Sequence, residues 1–147
     1  MKKLFLLTLI LCTQFAFSQE AEIKRSITTF FEGLQTRDTL KMKTVCYKHL
    51  ILESITEYKG QGKLDFETAP EYYKQVAAIP IDLIIEERLL DYKINTDGTM
   101  AHVWAPYEFY IDNKLVHSGV NSFELFRESG AWKIVYIIDT RRSPKKE

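Results

Sequence analysis

The 147-residue chain has two cysteines, no surplus of either charge and no apolar run of membrane-spanning length. Each absence removes a class of protein. Lys+Arg and Asp+Glu both number 20, so no bulk positive charge points to nucleic acid. The longest apolar stretch, Leu4 to Cys12, falls short of the roughly 20 residues that a bilayer of about 30 Å requires. His49, His102 and His117 have no ligand-like spacing, and no Cys-x-x-Cys occurs, so no metal site is read and no cofactor is implied. A Gly-x-Ser-x-Gly elbow is missing, and Lys59-Gly60-Gln61-Gly62-Lys63 lacks the glycine spacing of a phosphate-binding loop. Internal repeats and low-complexity segments are absent too. Hydrophobic residues at 46% and charged residues at 27% are globular values, and the length suits one domain.

What is present begins with a targeting segment. Lys2 and Lys3 precede the apolar run, and Ala16-Phe17-Ser18 follows it. This is the pattern of a secretory signal peptide over residues 1–18, with cleavage expected after Ser18. The alternative is a lipoprotein acylated at Cys12, against which stand bulky Leu11 and the apolar residues up to Phe17. The expected product, residues 19–147, is exported to the periplasm or the medium, with no stable membrane insertion. It carries 18 basic and 20 acidic residues and one cysteine. Cys46 then has no intramolecular partner, which excludes a disulfide scaffold and leaves it as a small buried hydrophobe.

Ile23, Ile27, Phe30, Phe31 and Leu34 share one face of a helix from about Glu20 to Gln35. Asp38 can cap a second helix over Thr39–Tyr47 with Leu40 and Val45 inward. Residues 48–67 are ambiguous, with a short strand at 49–52 and a turn or flexible loop at 59–62. Thr68-Ala69-Pro70-Glu71 is a capping box with proline in the first turn, and Pro80 stops the helix it opens. Strands follow over 82–95, 99–111, 115–127 and 132–140, parted by Asp97-Gly98, Asp112-Asn113 and Ser129-Gly130. Helices first and an antiparallel meander second make an α+β layout, a curved sheet wrapping helices. The basic tail after Thr140 reads as a solvated end.

Certain residues carry a resemblance. They are Trp104-Ala105-Pro106-Tyr107-Glu108-Phe109-Tyr110, Asp112-Asn113-Lys114, His117-Ser118-Gly119-Val120-Asn121-Ser122-Phe123 and Gly130-Ala131-Trp132-Lys133-Ile134-Val135. On these the chain resembles the nuclear-transport-factor-2-like (SnoaL-like) superfamily, and within it secreted bacterial members of the lumazine-binding group. The resemblance implies a cone-shaped fold with N-terminal helices packed in a curved antiparallel sheet, and it implies dimers paired through that sheet. The superfamily holds isomerases, dehydratases, cyclases, ligand binders and dimerisation modules, so it leaves activity open. Asn113 stands where relatives often have glycine, and asparagine tolerates the same backbone.

A two-residue turn at Asp112-Asn113 pairs Ile111 with Lys114, Glu108 with His117 and Trp104 with Asn121. Directly opposed residues share a face. That face, taken as concave, also holds His102, Tyr110, Phe123, Leu125, Ile134, Tyr136 and Ile138. An aromatic wall with a few polar groups is the usual make-up of a small-molecule site. The expected ligand-binding residues are Trp104, Tyr110, Asn121, Phe123, Tyr136 and His102, around a small organic molecule. Glu108 and His117 form a candidate acid/base pair for an isomerase- or dehydratase-type reaction. Ligand binding without chemistry and plain cross-strand pairing remain open beside it. Pro106 inside a strand implies a bulge or an unpaired edge position, and a bulge would turn His102 and Trp104 outward. The other face, with Val103, Tyr107, Phe109, Val116 and Val120, is apolar. It reads either as bulge-shifted core or as a homodimer interface.

Overall fold

The computed structural model describes residues 2–144, and of residues 2–18 the backbone alone. Helices α1 (Lys2–Thr36) and α2 (Thr39–Val45) lead into a hairpin of β1 (Cys46–Tyr58) and β2 (Gln61–Thr68). Then come α3 (Ala69–Ala78), β3 (Ile85–Leu89), β4 (Lys93–Asp97), β5 (Met100–Ile111), β6 (Lys114–Glu128) and β7 (Ala131–Arg142). No helix among the described residues is long and apolar enough to cross a membrane. Cleavage after Ser18 and acylation of Cys12 concern side chains outside the described ones.

The apolar face expected of α1 is the face it buries: Ile23, Ile27, Phe30, Phe31 and Leu34 all lie in the core. Phe31 meets Phe123 of β6 edge to face, with ring centroids 6.0 Å apart. Leu40 does not point inward as its spacing suggests but is 74% exposed, and Met42 is buried instead. The Asp38 side chain accepts from the Lys41 backbone at 2.8 Å and sets the phase of this two-turn helix. Gly33 then makes room for Met42, since a Cβ there would lie 2.4 Å from its Cγ. The α3 capping box is formed, with Glu71 N donating to Thr68 Oγ1 and Thr68 N donating to the Glu71 carboxylate.

The seven strands form one sheet in the order β2-β1-β7-β6-β5-β3, with β4 also on β5. Every pairing is antiparallel except β1 with β7, which is parallel. The ambiguous stretch 48–67 is thus a full hairpin, turning at Lys59 and Gly60 with φ of 51° and 77°. Asp112 and Asn113 turn with φ of 49° and 62°, the double positive φ of a tight hairpin. The expected strand over 82–95 is two strands, and Pro106 sits opposite the break between them. Its carbonyl accepts from Leu90 N at 2.8 Å just past the end of β3, on the side where its own N–H is missing, and the β3 ladder stops there.

The proline therefore needs no bulge, and the real irregularity lies across the strand. Ile111 pairs with Lys114 and Tyr110 with Leu115, but Phe109 pairs with His117, leaving Val116 extra in β6. Beyond it the register is one residue away from the two-residue-turn count. Glu108 opposes Ser118 and Trp104 opposes Ser122. A slip of one residue sends every side chain of a strand to the other face. Val103, Ala105, Tyr107 and Phe109 therefore face the helices, while His102, Trp104, Glu108 and Tyr110 lie on the convex face. A second bulge at Val135 keeps Ile134 inside and turns Tyr136 and Ile138 outward. Of the apolar set expected on the convex face, Val120 remains there, opposite Pro106, and Val116 is the exposed extra residue of the bulge. Val103 and Tyr107 are core, and Phe109 packs against it.

Candidate functional site

Between the sheet's concave face and helices α1 and α3 lies a cavity of about 730 Å³. Its apolar wall comes from both layers: Phe30, Phe31 and Leu34 of α1, Tyr72, Val76 and Ile79 of α3, and Leu52, Phe109 and Ile137 of the sheet. Phe30 and Tyr72 stack with centroids 6.1 Å apart. The polar groups gather on the sheet side, with β1, β3, β5, β6 and β7 all contributing.

Asp139 of β7 is the structural node. Ser54 Oγ of β1 donates to its Oδ1 at 2.5 Å, Tyr107 OH of β5 donates to its Oδ2 at 2.9 Å, and Arg141 binds through Nε at 2.8 Å. Its carboxylate is thus held by three donors and remains buried at 7% exposure. Burial, with the nearby Asp139 charge second, keeps the Tyr107 hydroxyl protonated far above the usual phenol range.

Glu87 of β3 lies alongside. Asn121 Nδ2 donates to its Oε1 at 2.6 Å, its one side-chain hydrogen bond among the described residues. Burial pushes the Glu87 carboxyl up to about 8; the Asn121 bond works against this and the Asp139 charge works with it. Glu87 is therefore a protonated acid at neutral pH, and it lines the cavity. The surface it retains opens onto that cavity. His117 stacks on Phe109 at 4.9 Å and meets the Tyr107 ring edge-on at 5.7 Å. Burial, then the Arg141 charge, lowers its proton affinity, so the ring is neutral. Asp65, Glu67 and Glu71 complete a lining in which carboxyl groups outnumber the Arg141 guanidinium.

The sequence-predicted residues divide. His117, Asn121 and Phe123 lie on the concave face, and His117 and Asn121 line the cavity. Glu108 is on the convex face with Tyr110, whose hydroxyl donates to it at 2.6 Å. Neighbours in a strand alternate faces, so Glu108 and His117 are not brought together. His102 pairs with Glu124 at 2.8 Å outside, Trp104 is 45% exposed, and Tyr136 donates to Glu53. Glu87, Asp139, Arg141, Ser54 and Tyr72 were not singled out in the sequence, and Tyr107, expected on the apolar convex face, lies instead in the core with its hydroxyl on Asp139. Cys46 is buried with its thiol pushed up to about 11, chiefly by burial, as befits a packing residue. Among the described residues no three His, Cys, Asp or Glu side chains gather in a metal-holding arrangement.

No protein-family model and no curated protein matches the sequence. Solved structures match the fold. An NTF2-like protein of unknown function from Shewanella baltica superposes with a TM-score of 0.64 at 14% identity, over 87% of this chain and 97% of that one. An NTF2-like protein from Streptomyces avermitilis, provisionally named a dehydratase, gives 0.66 at 14% identity, over 88% and 99%. The beta subunit of a provisionally named aromatic-ring-hydroxylating dioxygenase from Novosphingobium aromaticivorans gives 0.71 at 10% identity, over 90% and 94%. At such identities the likeness is one of fold, and the chain has the NTF2-like cone fold.

Proposed function

We propose that this chain is an exported small-molecule-binding domain whose cavity takes a small organic ligand with a flat apolar body. The observation that carries the reading is the cavity itself: aromatic walls from helices and sheet, with polar side chains, Glu87 and Asn121 among them, against its sheet side. A protonated Glu87 can donate to a ligand carbonyl or ring nitrogen. The carboxylates around the lining favour a neutral or cationic ligand over an anionic one. A heterocycle of the lumazine kind has this chemistry, consistent with the sequence resemblance. Residues 1–18 supply the export signal.

The test is a thermal-shift and NMR screen of neutral, cationic and anionic aromatic heterocycles. Neutral or cationic compounds are expected to raise Tm, and Asn121→Ala is expected to abolish the effect. No shift with any compound, or hits indifferent to Asn121→Ala, would remove the reading. Tryptophan quenching is the wrong probe, because Trp104 is on the convex face and Trp132 is buried in the core away from the cavity.

A second reading is an isomerase- or dehydratase-type enzyme, favoured by Glu87. A carboxyl that titrates near 8 beside a bound substrate exchanges protons readily at neutral pH. Glu87 then holds the proton-transfer role and His117, Tyr107 and Asn121 line its substrate. The third is a homodimeric module paired through the convex face, where Trp104, Val120, Phe126 and Ile138 lie. Pairing of that face is compatible with either occupant of the cavity.

A further inference from the structure

A second groove, of about 770 Å³, lies on the other side of α3. Tyr72, Gln75, Val76 and Ile79 of that helix face the first cavity, while Pro70, Tyr73, Lys74 and Ala77 line the groove. The helix thus separates two spaces of opposite charge. The first is ringed by carboxyl groups. The second gathers Lys43 from α2, Lys48 from β1, Lys74 from α3 and Lys133 from β7, with Glu128 the single carboxylate in its lining. These four lysines come from four elements, so no charged run in the sequence accounts for them.

None of the four forms an ion pair among the described residues. The Lys43 ammonium lies 4.9 Å from the Tyr73 ring centroid, and Lys133 donates to the Thr44 carbonyl. Contacts to a ring face and a carbonyl hold these two cations in place without neutralising them. A chain with equal numbers of acids and bases has carboxylates to spare, yet it sets four positive charges around one cleft at a cost in mutual repulsion. Tyr73, Pro70 and Ala77 give the cleft an apolar side as well. Convergent ammonium groups suit a compact, multiply charged anion. We propose that this groove is a binding site for a phosphate monoester carrying an apolar or aromatic substituent, the phosphate held by Lys43, Lys74 and Lys133 and the substituent against Tyr73.

The site is independent of the cavity assignment, and its test is separate. The full chain is titrated with phenyl phosphate at low salt by calorimetry and by NMR, and in parallel with phosphatidylcholine vesicles containing phosphatidic acid. Binding to phenyl phosphate assigns a soluble ester, and binding to the vesicles alone assigns a lipid headgroup. Amide shifts are expected at Tyr73, Lys74 and Ala77 and not at Tyr107 or Asn121. Lys43→Gln/Lys74→Gln should weaken binding about tenfold or more, the loss of two charge-assisted contacts. The charge-matched control Lys93→Gln/Lys114→Gln should stay within about twofold, since screening blunts distant charges. The proposal is overturned if neither probe binds, or if the control loses as much as the groove variant. Shifts centred on the first cavity overturn it as well.

Discussion

Replacing Glu87 with glutamine isolates the cost of holding an acid in the cavity wall. In the fold the carboxyl titrates at about 8 against an ordinary 4.5. The folded chain therefore keeps a proton that the unfolded chain releases across that interval. The stability linked to that proton is whole below pH 4.5, declines as pH rises, and is gone above about 8. The full gap corresponds to a ceiling of roughly 5 kcal/mol at 1.36 kcal/mol per unit. Water entering the cavity solvates the carboxylate and brings the expected loss to about 2–5 kcal/mol. Glutamine does not ionise, and its Oε1 can still accept from Asn121. Urea unfolding at pH 5, 7 and 9 should show Glu87→Gln close to wild type at pH 5 and more stable by about 2–5 kcal/mol at pH 9. Effects of the other titrating groups largely cancel between the two proteins. A stability difference that stays constant within about 0.5 kcal/mol across the series would refute the burial argument.

Three further outcomes follow from the packing. Gly119→Ala should fail to fold or lose more than about 3 kcal/mol in denaturant unfolding, because its Cβ would lie 1.7 Å from the Thr140 carbonyl oxygen, which is backbone. Tyr107→Phe removes a single O–H donor that lies 2.9 Å from the Asp139 carboxylate and 3.1 Å from the Thr140 carbonyl. It should cost about 1–3 kcal/mol in the same assay, with an unchanged value arguing that Ser54 and Arg141 alone satisfy the carboxylate. Val120→Glu should turn a dimer into a folded monomer in sedimentation, since Val120 is on the convex face. A wild type that sediments as a monomer at high concentration removes the interface.

Local chemistry was legible in the sequence wherever one short segment determines it. The α1 stripe, the Thr68/Glu71 box, the stop at Pro80 and the tight turns depend on residues within a few positions of each other, and the structure has them all. The hairpin of β1 and β2 was not legible. Its second strand, Gln61–Thr68, is exposed along almost its whole length, and its alternation of apolar and charged residues is confined to Lys63–Glu67. The phase of α2 was legible in part: Val45 packs against the core as its spacing suggests, but seven residues span too few turns to place Leu40.

The site failed to read for a narrower reason. Two single-residue bulges, at Val116 and Val135, decide which polar groups meet the cavity, and a valine is an ordinary strand residue that marks no bulge. Counting outward from the Asp112-Asn113 turn is sound for two pairs and then wrong for the rest of β5. A signal was nevertheless present. Along β5, Val103, Ala105, Tyr107 and Phe109 alternate with His102, Trp104, Pro106 and Glu108, and the first set is the more apolar. Burial follows the larger apolar sum, so side-chain character should outrank turn geometry when the two disagree. The first set carries Tyr107, and Tyr107 reaches Asp139, 32 positions away; Ser54 reaches it from 85 positions away through the parallel β1–β7 pairing. That contact requires a crossover that no hairpin count contains. The polar cluster is therefore a product of sheet topology, and the residues that compose it become visible only once the strand order is known.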